Sequence, residues 1–466
     1  MIVLGADELV DLLGARLVAA PQRTAAATVS AVMTDSRVGS PSPAVFFALR
    51  TEHADGHDHV AAAADAGAVV AVVDREVAGV DLPQLVVDDT WVALGRLGRG
   101  VLDRVACRVV AITGSYGKTT VKDLAAAALS AGRRVAASHA SFNNELGVPL
   151  TMLSVDETTE VLVAEAGARN AGDIGMLGGL LMPDISVVTA VGPVHLETFG
   201  DEAGVAQEKS RLVTALRPSG TAVLNADDAR VMAMAALAPA VLTVSAKGAA
   251  ADVRASDVQL DADGRARATV HTPWGSTAIA LPMPGAHNLT NALLALAVAG
   301  SEGIDPGAAA AAIGSATTSP SRSALHRVGG VTVLDDAYNA SPPTMLGALR
   351  TLASLPCSGR RWAVLGVMAE LGPDAHAQHV AVGEACVGAV DVLVVVGEAA
   401  AGIAAGARAL PGRPEVRTVA DHEEAARLMA SEVAAGDVIL FKASRVATLD
   451  RAAAHLLARL AEVEAA

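Results

Sequence analysis

Hydrophobic and polar positions divide the chain into three stretches of different texture. Residues 1–105 mix short apolar runs with turns: VFFALR at 45–50, the polar loop TEHADGHDH, then AAAADAGAVVAVVD. The last piece predicts a helix, a glycine turn and a buried strand. From 106 to 318, short apolar runs (RVVAIT, VLVAEAG, DISVVTAVG) alternate with helical stretches such as VKDLAAAALSAG. Continuous apolar runs between helices predict a parallel sheet covered on both faces. From 319 to 466 the pattern recurs as VTVLDDA, RWAVLGVM, DVLVVVGEA and DVILFKAS, a second α/β unit of the doubly wound type. The Pro/Ser cluster TTSPSRS at 317–323 is the expected linker between the second and third units. No fixed-period repeat interrupts this order.

Composition narrows the function classes. The length of 466 residues suits three domains at roughly 150 residues each. Apolar residues make up 52% and mean hydropathy is +0.42, which argues against disorder. A formal net charge of −15 makes the chain a poor candidate for a nucleic-acid backbone binder, which needs a basic face. The longest apolar stretch, Val231–Val244, is too short to span a bilayer and contains Pro239. The opening MIVLGADELV has no basic n-region, and Cys107, Cys357 and Cys386 form no CxxC spacing. A soluble, reduced, cytoplasmic protein without membrane contact, zinc or disulfides is expected, with a monomer as the default. Aromatic residues are only 2% of the chain, which makes the two tyrosines, Tyr116 and Tyr338, conspicuous: each lies inside a motif.

The strongest chemical signal is Thr113-Gly114-Ser115-Tyr116-Gly117-Lys118-Thr119-Thr120, between the strand RVVAIT and the helix VKDLAAAALSAG. Phosphate binding needs that context: glycines that let the backbone approach, N–H groups at a helix start, and a lysine for charge. Ile112 stands where the full GxxxxGK[ST] pattern has its first glycine, so the motif is a shortened variant. Thr119 is placed to hold Mg²⁺ through its hydroxyl. Glu165 ends the apolar strand VLVAE, at the sheet edge where α/β folds bind ligands, and suits a Mg²⁺ ligand as well as a solvated strand end. Taken singly, the polar turn Phe142-Asn143-Asn144-Glu145 reads as a loop. His195 in GPVHLETFG reads as structural, and Lys209 in the helix GVAQEKSRLVTAL as solvated. Asn288 and Asn291, in AHNLTNALLA, can face a base or cap the helix. Asp335-Asp336 in LDDAYNASP put paired carboxylates at another strand end.

With these motifs in this order, the sequence resembles the Mur ligase family of peptidoglycan synthesis over nearly its whole length. Asp35-Ser36-Arg37, FFAL and Asp55-Gly56-His57 are similar to that family's UDP-sugar domain. TGSYGKTT, FNNELGVP, EAGARNAGDI, GPVHLETFG, Lys209, Asn225-Ala226-Asp227 and AHNLTNALLA are similar to its ATPase domain. DDAYNASP, VMAELG, His379 and KASR are similar to its C-terminal domain. The DDAYNASP form favours the branch that adds D-alanyl-D-alanine to UDP-N-acetylmuramoyl-tripeptide, and the DNPR motif of the tripeptide-forming branch is absent.

The resemblance implies an α/β fold of three domains. Residues 1–105 would bind the UDP-sugar, 106–318 would form a P-loop ATPase with a parallel sheet, and 319–466 would be a Rossmann-like domain for the amine. It implies ATP and Mg²⁺ as cofactors, and an acyl phosphate attacked by the incoming amine. Gly114, Ser115, Gly117, Lys118, Thr119 and Thr120 would hold phosphates, with Lys118 catalytic. Thr119, Glu165, His195 and Lys209 would serve metals, with His195 and Lys209 catalytic and Lys209 carried as a carbamate. Asn288 and Asn291 would face adenine, and Arg322 and Asp336 would reach the nucleotide from the third domain, Arg322 with a catalytic role. Ser36, Arg37, Asn143 and Asn144 would contact the UDP substrate. The sequence departs from the family pattern at Ser210-Arg211, Val367, Ala443, the SPP at 341–343 and SPSPA at 40–44, and the stretch around Arg322 is one residue short. The departures gather in the acceptor-facing third domain. The competing reading is therefore a family paralogue that joins a different amine to a carboxylate. A nucleotide switch is a further alternative, against which Glu165, His195 and Lys209 together argue.

Overall fold

The computed structural model describes residues 1–20 and 28–465. Among them the strands form four sheets. A small antiparallel ribbon joins Leu4–Gly5 to Thr28–Val29. Beside it lies a sheet in the order Arg16–Val18, Gln84–Val86, Ala68–Val73, Ala44–Phe47, Ala31–Met33. All its pairings are parallel except that of Arg16–Val18. The predicted helix, turn and strand appear as Val60–Asp65, Gly67 and Ala68–Val73.

The central sheet has nine strands. From one edge inward run Val135–Ala137, Val161–Glu165, Arg108–Thr113, Ile185–Val188 and Thr221–Asn225, all parallel. These Val- and Ile-rich runs are covered on both faces. Helices Lys118–Ser130 and His287–Ser301 pack one side through Val121, Leu124, Leu289 and Leu293. Helices Thr90–Val105, Gly147–Met152 and Asp173–Leu181 pack the other.

The far edge departs from the expected parallel sheet. Beyond Ala240–Ser245, the strands Val253–Leu260, Arg265–Thr272 and Gly275–Pro284 form an antiparallel meander. Its cause is legible in RARATVHT, where small or apolar residues alternate with polar ones, and in the DADG and PWG turns. Such alternation suits a sheet with one wet face.

Helix Thr90–Val105 joins the first two sheets. Asp89 caps it, accepting from Trp91 N at 2.7 Å and Val92 N at 3.0 Å. Leu94, Leu97, Val101 and Leu102 share one apolar cluster with Leu4 and Leu9 on one side and Val109, Leu162 and Leu177 on the other. Each fully buried leucine contributes roughly 1.5–3 kcal/mol, so this shared core fixes the N-terminal unit against the central sheet.

The last sheet runs Ala324–Val328, Val331–Asp335, Val438–Lys442, Arg361–Leu365, Val392–Val396, Glu415–Val419. It is parallel apart from the first hairpin, with helices on both faces, as a doubly wound unit requires. Among the described residues no helix is long and apolar enough to cross a membrane.

Candidate functional site

The carboxyl ends of the central and C-terminal sheets face each other across a cleft of about 980 Å³. Loops at the carboxyl ends of parallel strands are where α/β folds place ligands.

One wall is the loop after Arg108–Thr113. Gly114 (φ 147°) and Gly117 (φ 82°) turn the chain into helix Lys118–Ser130. A Cβ at Gly114 would fall 2.0 Å from Thr189 Oγ1, and one at Gly117 would fall 2.7 Å from Asn291 Oδ1. No larger residue fits either place. The helix starts without a side-chain cap, leaving its first N–H groups for an anion. Lys118 Nζ donates to Gly114 O at 2.8 Å. Burial holds the Lys118 pKa below the usual lysine range, with Glu165 opposing that shift.

Glu165 is 1% exposed. Thr119 Oγ1 donates to its Oε2 at 2.7 Å, and Asn143 Nδ2 donates to its Oε1 at 2.7 Å. Asn144 lies beside Asn143 in the cleft wall, but its Oδ1 accepts Gly147 N at 2.9 Å and so shapes the turn. Thr119 and Glu165 thus present hard oxygen donors at one point. Among the described residues no group of three or more His, Cys, Asp or Glu is assembled. This set fits Mg²⁺, which takes one or two protein ligands and completes its shell with water and substrate phosphates.

Lys209, in helix Glu202–Thr214, is 2% exposed, and its ammonium has no hydrogen-bond or ion-pair partner among the described residues. Burial, reinforced by the Lys118 cation, lowers its pKa to about 7. The sequence alone reads this lysine as solvated; the structure buries it against the cleft. Arg211, the departure in the same helix, pairs through Nε with Glu208 Oε2 at 3.0 Å and not with Lys209.

His195 has a left-handed backbone (φ 53°) at the start of the short helix Leu196–Phe199, and its Nδ1 meets the carboxylate of Glu370. Burial and the Lys118 and Lys209 cations depress its pKa, while Glu370 raises it.

Arg322 crosses from the C-terminal unit. Left-handed Ser321 (φ 54°) and Ser323 (φ 52°) flank it. Its Nη2 donates to Ser141 Oγ at 3.0 Å, its guanidinium lies 3.9 Å from the Tyr338 ring centroid, and its buried Nε has no partner among the described residues. Asp336 holds this loop in place. Its Oδ1 accepts Ser323 N at 2.9 Å and its Oδ2 pairs with Lys442 Nζ at 2.5 Å. On the opposite side, Asn288 Nδ2 donates to Pro284 O at 2.8 Å and Asn291 Nδ2 to Asn288 Oδ1 at 3.0 Å. Both line the cleft, with these donors engaged locally.

The cleft therefore gathers Gly114, Ser115, Gly117, Lys118, Thr119, Thr120, Asn143, Asn144, Glu165, His195, Lys209, Asn288, Asn291, Arg322 and Asp336. Ser36 and Arg37 are not among its lining residues. Arg37 is exposed and forks onto Asp35, with Nη2–Oδ2 at 2.7 Å. Two participants escaped sequence reasoning. Ser141 immediately precedes the FNN turn and joins Thr119 (3.1 Å) to Arg322. Glu370 lies within VMAELG, and nothing in its spacing points to His195.

Comparison with known proteins gives the family. The family model described as the Mur ligase middle domain matches residues 112–299, and that described as the Mur ligase glutamate ligase domain matches residues 321–445. The UDP-N-acetylmuramoyl-tripeptide–D-alanyl-D-alanine ligase of Mycobacterium tuberculosis is 37% identical, covering 98% of both chains. A crystal structure of MurF from Acinetobacter baumannii superposes with a TM-score of 0.88 at 28% identity, covering 98% of this chain and 99% of that one. MurF from Thermotoga maritima, crystallised with ADP, gives a TM-score of 0.81 at 27% identity, covering 93% and 98%. The chain belongs to the Mur ligase family, on the branch of the UDP-N-acetylmuramoyl-tripeptide–D-alanyl-D-alanine ligases.

Proposed function

We propose that the protein joins D-alanyl-D-alanine to UDP-N-acetylmuramoyl-tripeptide in the cytoplasm, converting ATP to ADP and phosphate. The observation that carries this reading is one cleft in which a phosphate loop, a buried carboxylate and an unpartnered buried lysine meet an arginine from the opposite unit.

In the reaction, the tripeptide carboxylate attacks the γ-phosphate of ATP. ADP leaves, and the amine then attacks the acyl phosphate and expels phosphate through a tetrahedral intermediate. Negative charge builds on crowded oxygens in both steps, so positioned cations and N–H donors supply the catalysis. Gly114, Ser115, Gly117 and Thr120 would cradle the phosphates through the loop and helix start, and Lys118 would neutralise their charge. Arg322 would add a second cation from the other side. Asn288 and Asn291 would line the adenine end, and Asp336 would hold the Arg322 loop. Thr119 and Glu165 would hold Mg²⁺, which would offset phosphate negative charge there. His195 and Lys209 would serve a second ion. Lys209 suits that role only as a carbamate, and a lysine with a pKa of about 7 has the neutral amine that carbon dioxide requires. Residues 1–105, with Ser36 and Arg37, would receive the UDP-sugar, while Asn143 and Asn144 would meet its peptide. Units 106–318 and 319–466 would supply ATP and amine sites, in a chain working as a monomer.

The test is phosphate release with UDP-N-acetylmuramoyl-tripeptide and a panel of amines. D-alanyl-D-alanine should be the best trigger. A different amine releasing phosphate faster would move the protein to the paralogue reading.

A further inference from the structure

Two charged side chains stand on the C-terminal wall of the cleft. Glu370 follows strand Arg361–Leu365, and Arg445 follows the neighbouring strand Val438–Lys442. Ser444 ties their loops together: its N–H donates to Val367 O at 2.9 Å, and its Oγ accepts Ala369 N at 3.0 Å. Glu370 and Arg445 are thus the chain neighbours of a hydrogen-bonded pair, and both line the cleft. Glu370 has a left-handed backbone (φ 63°), uncommon for a non-glycine residue. Its Oε2 meets His195 Nδ1, its side chain is 51% exposed, and among the described residues Oε1 has no hydrogen-bond partner. Arg445 is 67% exposed on its side chain, and its ion pair among the described residues is a loose one, 3.6 Å, with Asp450. Its guanidinium stands 5.4 Å from the Tyr338 centroid, on the ring that Arg322 also covers. Next to it Val446 is 74% exposed, an apolar side chain held open to the cleft.

A carboxylate beside the reacting groups, a guanidinium further along the same wall and an apolar contact next to it are the complement of a small zwitterion with methyl side chains. Resting on the ligase reading above, we propose that Glu370 and Arg445 form the two ends of the amine-substrate clamp. Glu370 receives the ammonium on the His195 side, where the activated carboxyl would lie. Arg445 reads the terminal carboxylate by paired N–H donation. The chain then selects amines that carry a free carboxylate at the far end.

The test compares D-alanyl-D-alanine with D-alanyl-D-alaninamide, which lacks that carboxylate, as acceptors for wild-type, Arg445→Ala and Glu370→Gln enzyme. Wild type should prefer the free acid by about 30-fold in kcat/KM, the size of one charge-assisted contact. Arg445→Ala should lose most of that preference, through a higher KM for the dipeptide and an unchanged KM for ATP. Glu370→Gln should raise the dipeptide KM with both acceptors. Undiminished preference in Arg445→Ala overturns the carboxylate end of the clamp. A Glu370→Gln variant with altered kcat and unaltered dipeptide KM would confine Glu370 to orienting His195 and overturn the amine end. If wild-type enzyme used neither acceptor yet released phosphate with another amine, the ligase reading itself would fail, which is a separate result.

Discussion

Arg322 donates to the hydroxyl of Ser141 at 3.0 Å, and that hydroxyl stands 3.1 Å from Thr119 at the start of the phosphate-loop helix. A residue of the third unit is therefore placed in the cleft wall of the second. The left-handed Ser321 and Ser323 on either side of it cost backbone energy, of order 1–3 kcal/mol each, and bonds to Asp335, Asp336 and the Tyr338 N–H hold the loop against that cost. Arg322→Ala should lower kcat by about 100-fold while changing the ATP KM little, because the contact matters most when charge develops. Steady-state kinetics with both substrates varied checks this; a rise in ATP KM at constant kcat would assign Arg322 to ground-state binding.

Lys118→Ala should abolish turnover in a folded enzyme. Among the described residues its ammonium bonds only Gly114 O, in the loop it serves, so stability should change by less than about 1 kcal/mol. Circular dichroism and urea unfolding give the stability, and phosphate release gives the activity. Turnover near wild type would remove the phosphate loop from the mechanism.

Gly114→Ala should damage both the fold and the site. The new Cβ would meet Thr189 Oγ1, which itself bonds Tyr116 O at 2.5 Å, at a φ that side chains avoid. A loss of about 2 kcal/mol or more is expected in urea unfolding. Wild-type stability would mean the loop relaxes freely.

The phosphate loop, the strand-end Glu165 and the doubly wound third unit were legible because each is written locally: a glycine pattern, a strand followed by an acid, and periodic apolar runs. Lys209 was legible only by family likeness. Its helix has ordinary polar spacing, and its burial comes from packing against the cleft. The Glu370–His195 contact and the Ser141 bridge were not legible at all, because each joins segments far apart in the chain whose proximity depends on how two sheets face each other. The antiparallel meander at 253–284 was written in alternation and turns, yet the neighbouring α/β rhythm outweighed it.

Lys209 also predicts a pH signature. Its folded pKa of about 7 lies below the ordinary 10.5, so the unfolded chain binds the extra proton between those values. The buried ammonium is a full penalty below pH 7, and the penalty fades as pH rises toward 10.5. In buffer free of Mg²⁺ and bicarbonate, Lys209→Met should therefore be more stable than wild type at pH 6.5, and the gap should narrow by pH 9.5. A constant gap in urea midpoints would show Lys209 titrating as an exposed lysine. With Mg²⁺ and bicarbonate present, the same substitution should cost activity by 100-fold or more, equivalent to about 3 kcal/mol in the barrier, and acetate should restore part of it.

The central claim is that the tripeptide carboxylate is activated by direct transfer of phosphate and then taken by D-alanyl-D-alanine. UDP-N-acetylmuramoyl-tripeptide carrying ¹⁸O in its terminal carboxylate tests it most directly. With both carboxylate oxygens labelled, and with ATP, Mg²⁺ and D-alanyl-D-alanine, mass spectrometry should find one ¹⁸O in each phosphate released and the amide product formed in equal amount. Unlabelled phosphate, or phosphate released without amide product, would contradict the account.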